Sequence, residues 1–473
     1  MSENEPDLEV IADEDYEYPT PALDEDQDRS ERAGVARQVG AIRGAVQASP
    51  PMLDLIRERR GLRPDHTVPV PTRPQRPGAA LCADGELVIA APRGEGPVSL
   101  SEQFLPVDAP TVNGADVSES DPFGHRLQIQ RFAATRPEER TTRTWQLAAS
   151  AALETQLRAD SRTHRVAPNH VMVLQPSVMK GDGSPEPTSR RLRYPVDLAE
   201  HLAGREPATV AIVDTGLAEE VRRDAWLTGL TRSADNRDAL NVLPPLDRID
   251  LGAGHGTFVS GVIQQVCPTA QIRVYRALDT DGMGSETQVA AMMVQAVLDG
   301  ADIVSLSLGT QTDDDRPPLA FRVALDEVFA INPDALVLAA AGNNGDDRPV
   351  WPAAFPSVVA VGAVTADLAP AEWSSHGFWV DCSCVGEGVV STFVPGREID
   401  EVGGTEFGDD AWAMWTGTSF AVAQIAGALA RLVQGNRHLG WTPRHALSRL
   451  LGSRPWLLDY GRVVRLLPGT PRP

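Results

Sequence analysis

Residues 209–216 have the sequence Thr-Val-Ala-Ile-Val-Asp-Thr-Gly, a continuous apolar run that ends in a polar, glycine-containing turn. Such a run is typical of a strand that is buried on both faces of a parallel sheet. Similar apolar runs recur at 272–277, 303–308, 336–341 and 358–364. Segments with helical character separate these runs, at 257–266, 286–298 and 319–331. The alternation predicts an α/β fold with three layers, α/β/α, and a mainly parallel sheet in the middle.

The part of the chain before this α/β region has a different composition, and we divide it into four segments. Segment 1–35 is acidic and poor in large apolar residues, which predicts disorder. Segment 36–78 combines a short helix near 49–61 with a Pro-rich connector. The remaining two segments are a small α+β domain at 79–176 and an exposed linker at 177–205, and the α/β domain itself covers 206–468.

The prediction for 79–176 depends on local patterns. Apolar runs flank Ala83-Asp84-Gly85, and Asp-Gly is a strong turn signal, so we expect a hairpin there. Two further strands are expected at 126–132 and 170–174, and a helix at 141–159.

Charge and cysteine content restrict the possible partners and environment. The formal net charge is −22, which argues against nucleic acid and anionic membranes as partners. The acidic first 32 residues lack the apolar core of a secretory signal, and no run of about 18 apolar residues predicts a membrane span. The cysteines are Cys82, Cys267, Cys382 and Cys384. They have neither disulfide-framework nor zinc-site spacing, which predicts buried or semi-buried free thiols and a cytoplasmic protein.

A serine stands where a buried helix is expected to begin. Gly417-Thr418-Ser419 precedes 420–434, a segment that is apolar on nearly every side. At the start of that helix, unpaired N–H groups and the positive end of the helix dipole would stabilise an oxyanion next to the Ser419 hydroxyl. Taken alone, the motif has a structural alternative, because Ser is a favoured N-cap and Gly a common turn residue.

Two further residues have the chemistry that a nucleophilic serine requires. Asp214 ends the first buried strand, and His255 lies in Gly252-Ala-Gly-His-Gly-Thr at the start of an apolar helix. Acyl transfer needs a hydroxyl, an imidazole that takes its proton and a carboxylate that orients the imidazole. Singly, Asp214 could be an Asx-turn residue and His255 a helix-start histidine. Together and in this order, Asp214, His255 and Ser419 predict a catalytic triad.

The three blocks Val213-Asp-Thr-Gly216, Gly254-His-Gly-Thr257 and Gly417-Thr-Ser419 resemble the signature blocks of the subtilisin-like serine proteases, the subtilases. The resemblance covers about 206–467 and implies a subtilisin-like fold. It also implies that Ser419 attacks the scissile carbonyl, that His255 is the general base and then the acid, and that Asp214 orients His255.

Weaker matches to the family lie between these blocks. Val337-Leu-Ala-Ala-Ala-Gly-Asn343 resembles its oxyanion-asparagine block, which implies that Asn343 and the Ser419 N–H stabilise the tetrahedral oxyanion. The structural alternative for Asn343 is a turn residue, and the adjacent Asn344 is chemically able to take the same role. A nearby segment at 354–363 resembles the strand that follows this block in the family.

Two glycine-containing segments resemble the backbone edges between which the family holds an extended peptide. They are Gly282-Met283-Gly284 and Ser307-Leu308-Gly309. Backbone pairing on both sides would give affinity for a polypeptide with little dependence on its side chains. The alternative is that these are ordinary turn glycines.

The sequence also departs from the family pattern. The usual Ser-Met-Ala-x-Pro after the nucleophile is Ser419-Phe-Ala-Val-Ala423 here, for which we expect a small change of geometry and retained activity. Asp279-Thr-Asp-Gly282 lacks the further ligands of a calcium loop, so we predict no required metal and no cofactor. Asp346-Asp-Arg348 lies where the family builds one rim of its P1 pocket, but solvated loop charges are the alternative.

These patterns favour a serine endopeptidase that acts on extended polypeptides. The alternative is a catalytically degenerate subtilase that binds peptides without cutting them. By its position, 79–176 resembles the inhibitory propeptide of the family. It could equally be a regulatory domain that stays attached and binds a protein partner through the N-terminal region.

Overall fold

The computed structural model of the protein describes residues 18, 20–44, 50–61, 68–72, 80–95, 122–123, 126–131, 155, 158, 163–174, 183–242, 246–398 and 404–473. The helix predicted at 141–159 lies largely outside these residues, as do residues 1–17 of the acidic segment.

Within the described part, the helices are α1 (Glu25–Gly44), α2 (Pro50–Gly61), α3 (Val196–Leu202), α4 (His255–Val266), α5 (Glu286–Leu298), α6 (Leu319–Ile331), α7 (Thr418–Asn436) and α8 (Pro443–Leu451). Helices α5 and α6 have the predicted bounds, and α2 confirms the short helix predicted near 49–61. No helix in the described ranges has both the length and the apolar character that a membrane span needs.

The first ten strands are β1 (Pro69–Pro71), β2 (Leu81–Ala90), β3 (Leu127–Arg131), β4 (Arg165–Val173), β5 (Glu186–Pro187), β6 (Thr209–Asp214), β7 (Leu217–Ala218), β8 (Arg237–Asp238), β9 (Gln271–Arg276) and β10 (Met283–Ser285). They are followed by β11 (Ile303–Leu306), β12 (Leu336–Ala340), β13 (Val359–Val364), β14 (Cys382–Val385), β15 (Val389–Thr392), β16 (Gly396–Arg397), β17 (Glu406–Phe407), β18 (Trp412–Trp415), β19 (Trp456–Leu457) and β20 (Gly461–Val463).

The main sheet has the strand order β19-β20-β14-β13-β12-β11-β6-β9, and its strands are parallel except for the edge strand β19. Successive residues of β6 face opposite sides. Val210 and Ile212 pack in the core that contains α4 and α7, whereas Ala211 and Val213 pack in the core that contains α5 and α6. The predicted three-layer α/β/α arrangement is therefore confirmed. The carboxyl ends of β6 and β11 lie at one edge of this sheet, where sites form in such folds.

A second sheet has the order β1-β2-β4-β10, with β3 paired to β2. Strand β10 belongs to the segment predicted as the α/β domain, so the sheet of the predicted 79–176 domain continues into that segment. The predicted hairpin at Ala83-Asp84-Gly85 is wrong, because β2 runs through these residues as one strand. The register with β4 shifts between Cys82 and Leu87, and Gly85 has φ +70°. The Asp-Gly pair thus forms a bulge in a continuous strand instead of a turn.

The acidic segment is helical in its second half, which corrects the prediction of disorder for residues 25–35. Helix α1 buries one apolar stripe, formed by Val35, Val39 and Ile42, in the same core as α4 and α7. Spacing of four and three residues puts these side chains on one face of a helix. The many charged residues of this segment led to the prediction of disorder, because the apolar pattern among them is short.

The predicted linker at 177–205 is also ordered in part. Strand β5 pairs antiparallel with β18, and α3 buries Leu198 and Leu202 in the main core. The predicted exposed linker is therefore wrong for these residues, because β18 offers backbone groups that a polar segment can pair with. All four cysteines are free and buried, as predicted, and burial raises the pKa of Cys267 and of Cys384 to about 12.

Candidate active site

Asp214 and His255 are in direct contact. Asp214 is the last residue of β6, and His255 is the first residue of α4. The Nδ1 atom of His255 lies 2.9 and 3.0 Å from the two carboxylate oxygens of Asp214. Both side chains are buried. This geometry suits an Nδ1–H that donates to the carboxylate and leaves Nε2 free to accept a proton.

Two glycines allow the start of α4 to approach the loop after β6. Gly216 has φ +116°, a conformation that favours glycine. A Cβ atom on Gly256 would collide with the carbonyl oxygen of Gly216. Gly256 therefore has a steric function, since it lets the first turn of α4 lie against the backbone of Gly216.

Ser419 lies at the N terminus of α7. It is the second residue of that helix, which begins at Thr418 and not at Ser419 as expected. The Ser419 Oγ donates to the carbonyl oxygen of Ser307 at 3.2 Å, and the Ser307 Oγ donates to the Ser419 carbonyl oxygen at 3.3 Å. Helix α7 is buried along its length, as predicted. The hydroxyl is thus next to the positive end of a buried helix dipole.

Aromatic rings join the histidine to the serine segment. The centroid of the His255 ring lies 5.2 Å from that of Trp415 and 5.7 Å from that of Phe420. Trp415 and Phe420 both pack against Phe258 of α4. Since Trp415 and Phe420 flank Ser419 in sequence, this cluster brings the ends of α4 and α7 together. The motifs in the sequence did not indicate it.

Asn343 follows β12 and contacts the residue before Ser419. Its Oδ1 accepts the Thr418 N–H at 3.1 Å and the Thr418 hydroxyl at 2.9 Å. Its Nδ2 is buried and has no hydrogen-bond partner among the described residues. A buried amide donor without a partner is costly in a stable protein, and it is the group that an oxyanion would satisfy. The backbone N–H of Asn344, the alternative residue, donates to Ser375 Oγ at 3.1 Å.

Strand β4 lies between the two predicted peptide-binding edges. On one side it pairs antiparallel with β10, and the Leu174 N–H donates to the Gly282 carbonyl at 3.0 Å. On the other side, Val173 and Gly309 exchange backbone hydrogen bonds of 3.2 and 3.0 Å. The paired residues of β10 are Met283 with Val173 and Gly284 with Met172. Ser307 contacts Ser419 as described above, and the Leu308 side chain is buried in the core.

A second piece of the N-terminal region lies near the same histidine. The indole N–H of Trp415 donates to the Gly183 carbonyl oxygen at 2.5 Å. A few residues later, β5 pairs with β18, the strand that ends at Trp415. The chain thus contacts the site before and after the segment 175–182, which is outside the described residues.

Asp238 is a site residue that sequence reasoning missed. Its Oδ2 accepts the Gly254 N–H at 2.7 Å and the Thr215 hydroxyl at 3.1 Å, and its Oδ1 accepts the Leu240 N–H at 3.0 Å. It therefore connects the residue after Asp214 to the residue before His255. Burial raises the pKa of Asp238 to about 6, although these hydrogen bonds lower it. No motif surrounds it in the sequence, so no local signal could have found it.

The charged segment Asp346-Asp-Arg348, predicted as one rim of a pocket, makes contacts with side chains of the loop at 311–315. The Gln311 Nε2 donates to Asp346 Oδ1 at 2.8 Å, and burial raises the pKa of Asp346. Arg348 pairs with Asp315 at 2.8 Å. These contacts fix the loop that follows Asn343.

Comparison with known proteins identifies the family. The sequence model of peptidase S8, the subtilase family, matches residues 206–453, which is more than half of the chain. The chain belongs to the subtilase family. The match covers Asp214, His255, Asn343 and Ser419.

Several curated subtilase relatives are similar to this chain. A thermophilic serine proteinase of Bacillus sp. (strain AK1) is 31% identical over 256 residues, which are 52% of this chain and 56% of the relative. Subtilisin E of Bacillus subtilis (strain 168) is 29% identical over 219 residues, 44% of this chain and 52% of the relative. An intracellular serine protease of Paenibacillus polymyxa is 32% identical over 195 residues, 38% and 54% respectively. The chain thus spans about half the length of these relatives.

Among solved structures, the prenylagaramide maturation protease PagA aligns with 57% of this chain and 95% of its own, with a TM-score of 0.46 and 20% identity. A lanthipeptide protease aligns with 55% and 85%, with a TM-score of 0.43 and 21% identity.

The departure from the subtilase pattern after Ser419 is accommodated by packing. Phe420 lies with its ring centroid 4.5 Å from that of Phe258, and Ala423 is fully buried in the α7 helix. Helix α7 begins normally without the proline of the family, because these contacts hold its first turn against α4.

Proposed function

We propose that the protein is a serine endopeptidase that hydrolyses peptide bonds of extended polypeptides. The observation that carries this proposal is the buried Asp214–His255 pair, whose imidazole packs against Trp415 and Phe420 on either side of Ser419. The Asn343 Nδ2, which lies beside the N terminus of α7 and has no hydrogen-bond partner within the described part of the chain, supports the same assignment.

In the proposed reaction, the Ser419 Oγ attacks the scissile carbonyl carbon while its proton passes to Nε2 of His255. Asp214 holds the Nδ1–H and stabilises the imidazolium that forms. The Asn343 Nδ2 and the Ser419 N–H donate to the tetrahedral oxyanion. Collapse breaks the C–N bond, and His255 gives its proton to the leaving amine. Water then attacks the acyl carbon while Nε2 of His255 takes its proton. The ester bond to the Ser419 Oγ breaks, and His255 returns the proton to Oγ, which frees the acid product and restores Ser419.

The substrate would bind as an added strand between Gly282–Gly284 and Ser307–Gly309. Strand β4 supports this part of the proposal, because its backbone makes the hydrogen bonds with Gly282 and Gly309 that a peptide would make. The Ser307 carbonyl, which accepts the Ser419 hydroxyl, is next along the same edge.

We further propose that β4 restrains the full-length enzyme, since a peptide and β4 cannot use the same backbone groups at once. Leu174 at its end is fully buried, so β4 does not leave without exposing apolar surface. Intact mass spectrometry of active protein tests how restraint ends. A cut between 177 and 206 supports a removable propeptide. An uncut active chain supports an attached regulatory domain, which a protein partner would displace.

Labelling with a fluorophosphonate, which reacts with activated serines, tests the catalytic proposal. We expect the wild type to be labelled and to hydrolyse casein, and Ser419→Ala to do neither. Ser448→Ala, in an exposed position on α8, is the matched serine control. If wild type and Ser419→Ala are equally inert, also when both carry Val173→Pro to weaken the pairing of β4 with Gly309, the proposal is wrong.

A second candidate function is peptide binding without cleavage. Two observations favour it: β4 pairs with the edges proposed for a peptide, and the Ser419 hydroxyl donates to the Ser307 carbonyl. A protein that binds extended peptides once β4 is displaced, yet is never labelled by the fluorophosphonate, would support this function. The cytoplasmic location and the exclusion of nucleic acid as a partner stay predictions.

A further inference from the structure

Helix α2 precedes the matched subtilase region by more than 140 residues, yet it carries two consecutive arginines that are buried against that region. The side chains of Arg59 and Arg60 are 5% and 2% exposed. On the same helix, Ile56 packs with Val171 of β4 and Met283 of β10. Helix α2 therefore lies against the peptide-binding edge from outside.

Arg60 holds the beginning of β10. Its Nε and one terminal nitrogen bind the two carboxylate oxygens of Asp281 at 2.6 and 2.5 Å. The terminal nitrogen also donates to the Met283 carbonyl oxygen at 3.0 Å and lies 3.3 Å from Asp279. Asp281 directly precedes Gly282, whose carbonyl oxygen accepts the Leu174 N–H. The position of the peptide-binding edge thus depends on a bidentate ion pair.

Arg59 holds the turn that leads to the histidine. Its guanidinium binds the Asp250 carboxylate, which also accepts the Val242 N–H at 2.8 Å and the Thr280 hydroxyl. The Asp250 carbonyl oxygen accepts the Ala253 N–H at 3.0 Å. Gly252 makes two further hydrogen bonds. Its N–H donates to the Thr280 carbonyl oxygen at 2.8 Å, and its carbonyl oxygen accepts the His255 N–H at 3.2 Å, so the turn reaches from Asp250 to His255.

The carboxylates that bind Arg59 and Arg60 belong to the matched subtilase region, and they need the positive charge of the two arginines. The side chains of Asp250 and Asp281 are fully buried, and that of Asp279 is 18% exposed. Burial lowers the pKa of Arg60, but the three carboxylates raise it by more, so it lies above its usual value. Removal of one partner of a buried ion pair leaves an uncompensated charge, which is strongly destabilising. Loss of the arginines would therefore displace the two backbone segments that carry these carboxylates.

We infer that Arg59 and Arg60 are positioning residues for catalysis, Arg60 for the peptide-binding edge and Arg59 for the turn before His255. Helix α2 is then a working part of the enzyme and not a segment that is discarded when the β4 restraint ends. This inference rests on the proposed function.

The test uses the full chain with Val173→Pro, which removes one hydrogen bond between β4 and Gly309. In this background, we expect Arg60→Ala to raise KM for a peptide substrate of six or more residues at least tenfold. The rate of fluorophosphonate labelling should stay within twofold, because the small probe does not need the edge. Arg60→Lys keeps the charge but not the bidentate contact. Its KM should therefore lie between that of Arg60→Ala and that of the Val173→Pro background, which keeps Arg60.

Arg59→Ala should instead affect the chemical step. We expect kcat and the labelling rate to fall at least tenfold, and KM to stay within threefold of the Val173→Pro background. The matched control is Arg57→Ala on the same helix, because Arg57 forms only a 3.7 Å pair with exposed Asp54 among the ion pairs of the described residues. Hydrogen exchange should accelerate in 281–285 for Arg60→Ala and in 250–255 for Arg59→Ala.

Three outcomes overturn the inference: kinetics that match Arg57→Ala, equal changes of kcat and KM in both variants, or unchanged exchange in both segments. A background protein that is not labelled at all contradicts the proposed function instead. In that case the exchange measurement still decides whether the arginines hold the two segments.

Discussion

Val173 and Gly309 exchange two backbone hydrogen bonds, with Val173 N–H donating at 3.2 Å and Gly309 N–H donating at 3.0 Å. This is the pattern of an antiparallel strand pair. Gly309 belongs to one of the two edges proposed for substrate, so β4 and a bound peptide would compete for its backbone groups. In the proposed function, restraint by β4 and recognition of substrate would therefore use the same set of backbone groups.

We predict that Val173→Pro increases the peptidase activity of the full chain at least tenfold. Proline has no N–H, so the bond to the Gly309 carbonyl is lost and β4 binds the edge less tightly. Hydrolysis of a fluorogenic peptide measures the effect. Val173→Ala keeps both backbone groups and is the control, expected within threefold of wild type. Equal activity of Val173→Pro and Val173→Ala would show that β4 does not limit access.

We predict that Asn343→Ala lowers kcat by about 10²–10³-fold, the loss typical of one oxyanion donor, and leaves KM within a few-fold. The reason is that its Nδ2 has no partner among the described residues and is free for the charge that develops in the transition state. Steady-state kinetics in the Val173→Pro background measure this effect. Asn344→Ala is the matched control. A larger loss of kcat in Asn344→Ala than in Asn343→Ala would show that Asn344, and not Asn343, is the oxyanion donor.

We predict that Asp214→Asn lowers kcat by about 10⁴-fold without unfolding the protein. An amide cannot fix the His255 tautomer that leaves Nε2 basic, since it can donate to Nδ1. Fluorophosphonate labelling rates and circular dichroism of the same samples measure this. Retention of more than a tenth of the wild-type labelling rate would contradict the assignment of Asp214.

We predict a pH-dependent contribution of Asp238 to stability. Burial raises its pKa from 3.8 to about 6, so between these values the folded state holds a proton that the unfolded state releases. The stabilising contribution is therefore present at low pH and is lost as pH rises from about 4 to about 6, by about 3 kcal/mol at most. Urea unfolding of wild type and Asp238→Asn at pH 4 and pH 7 measures the difference.

For Asp238, the stability of wild type minus that of Asp238→Asn should fall as pH rises across this window. A difference that is constant or that increases would contradict the raised pKa. The same titration is expected to affect activity, because Asp238 binds both Gly254 and Thr215 beside the proposed triad.

Local sequence patterns predicted the α/β core and most of the candidate site. Every residue of β6 is buried, and the apolar run 210–213 reports this directly. Asp214, His255 and Ser419 could be found in the sequence because each lies in a short motif that contains glycine. Predictions failed at residues 25–35, at Asp84-Gly85 and at 186–187, where a neighbour distant in sequence decides the structure. Helix α1 is stabilised by burial against the main core, and β5 by pairing with β18.

By itself, the sequence determined the layers of the fold and the residue types that meet at the carboxyl edge of the sheet, because burial on both faces and tight turns constrain composition locally. Only the tertiary structure decided that β4 lies between Gly282 and Gly309, and that Arg59 and Arg60 bind Asp250 and Asp281. Backbone pairing does not depend on side-chain identity, and an arginine is compatible with many acidic partners. Such contacts, formed across 100 residues or more, leave no local pattern to read.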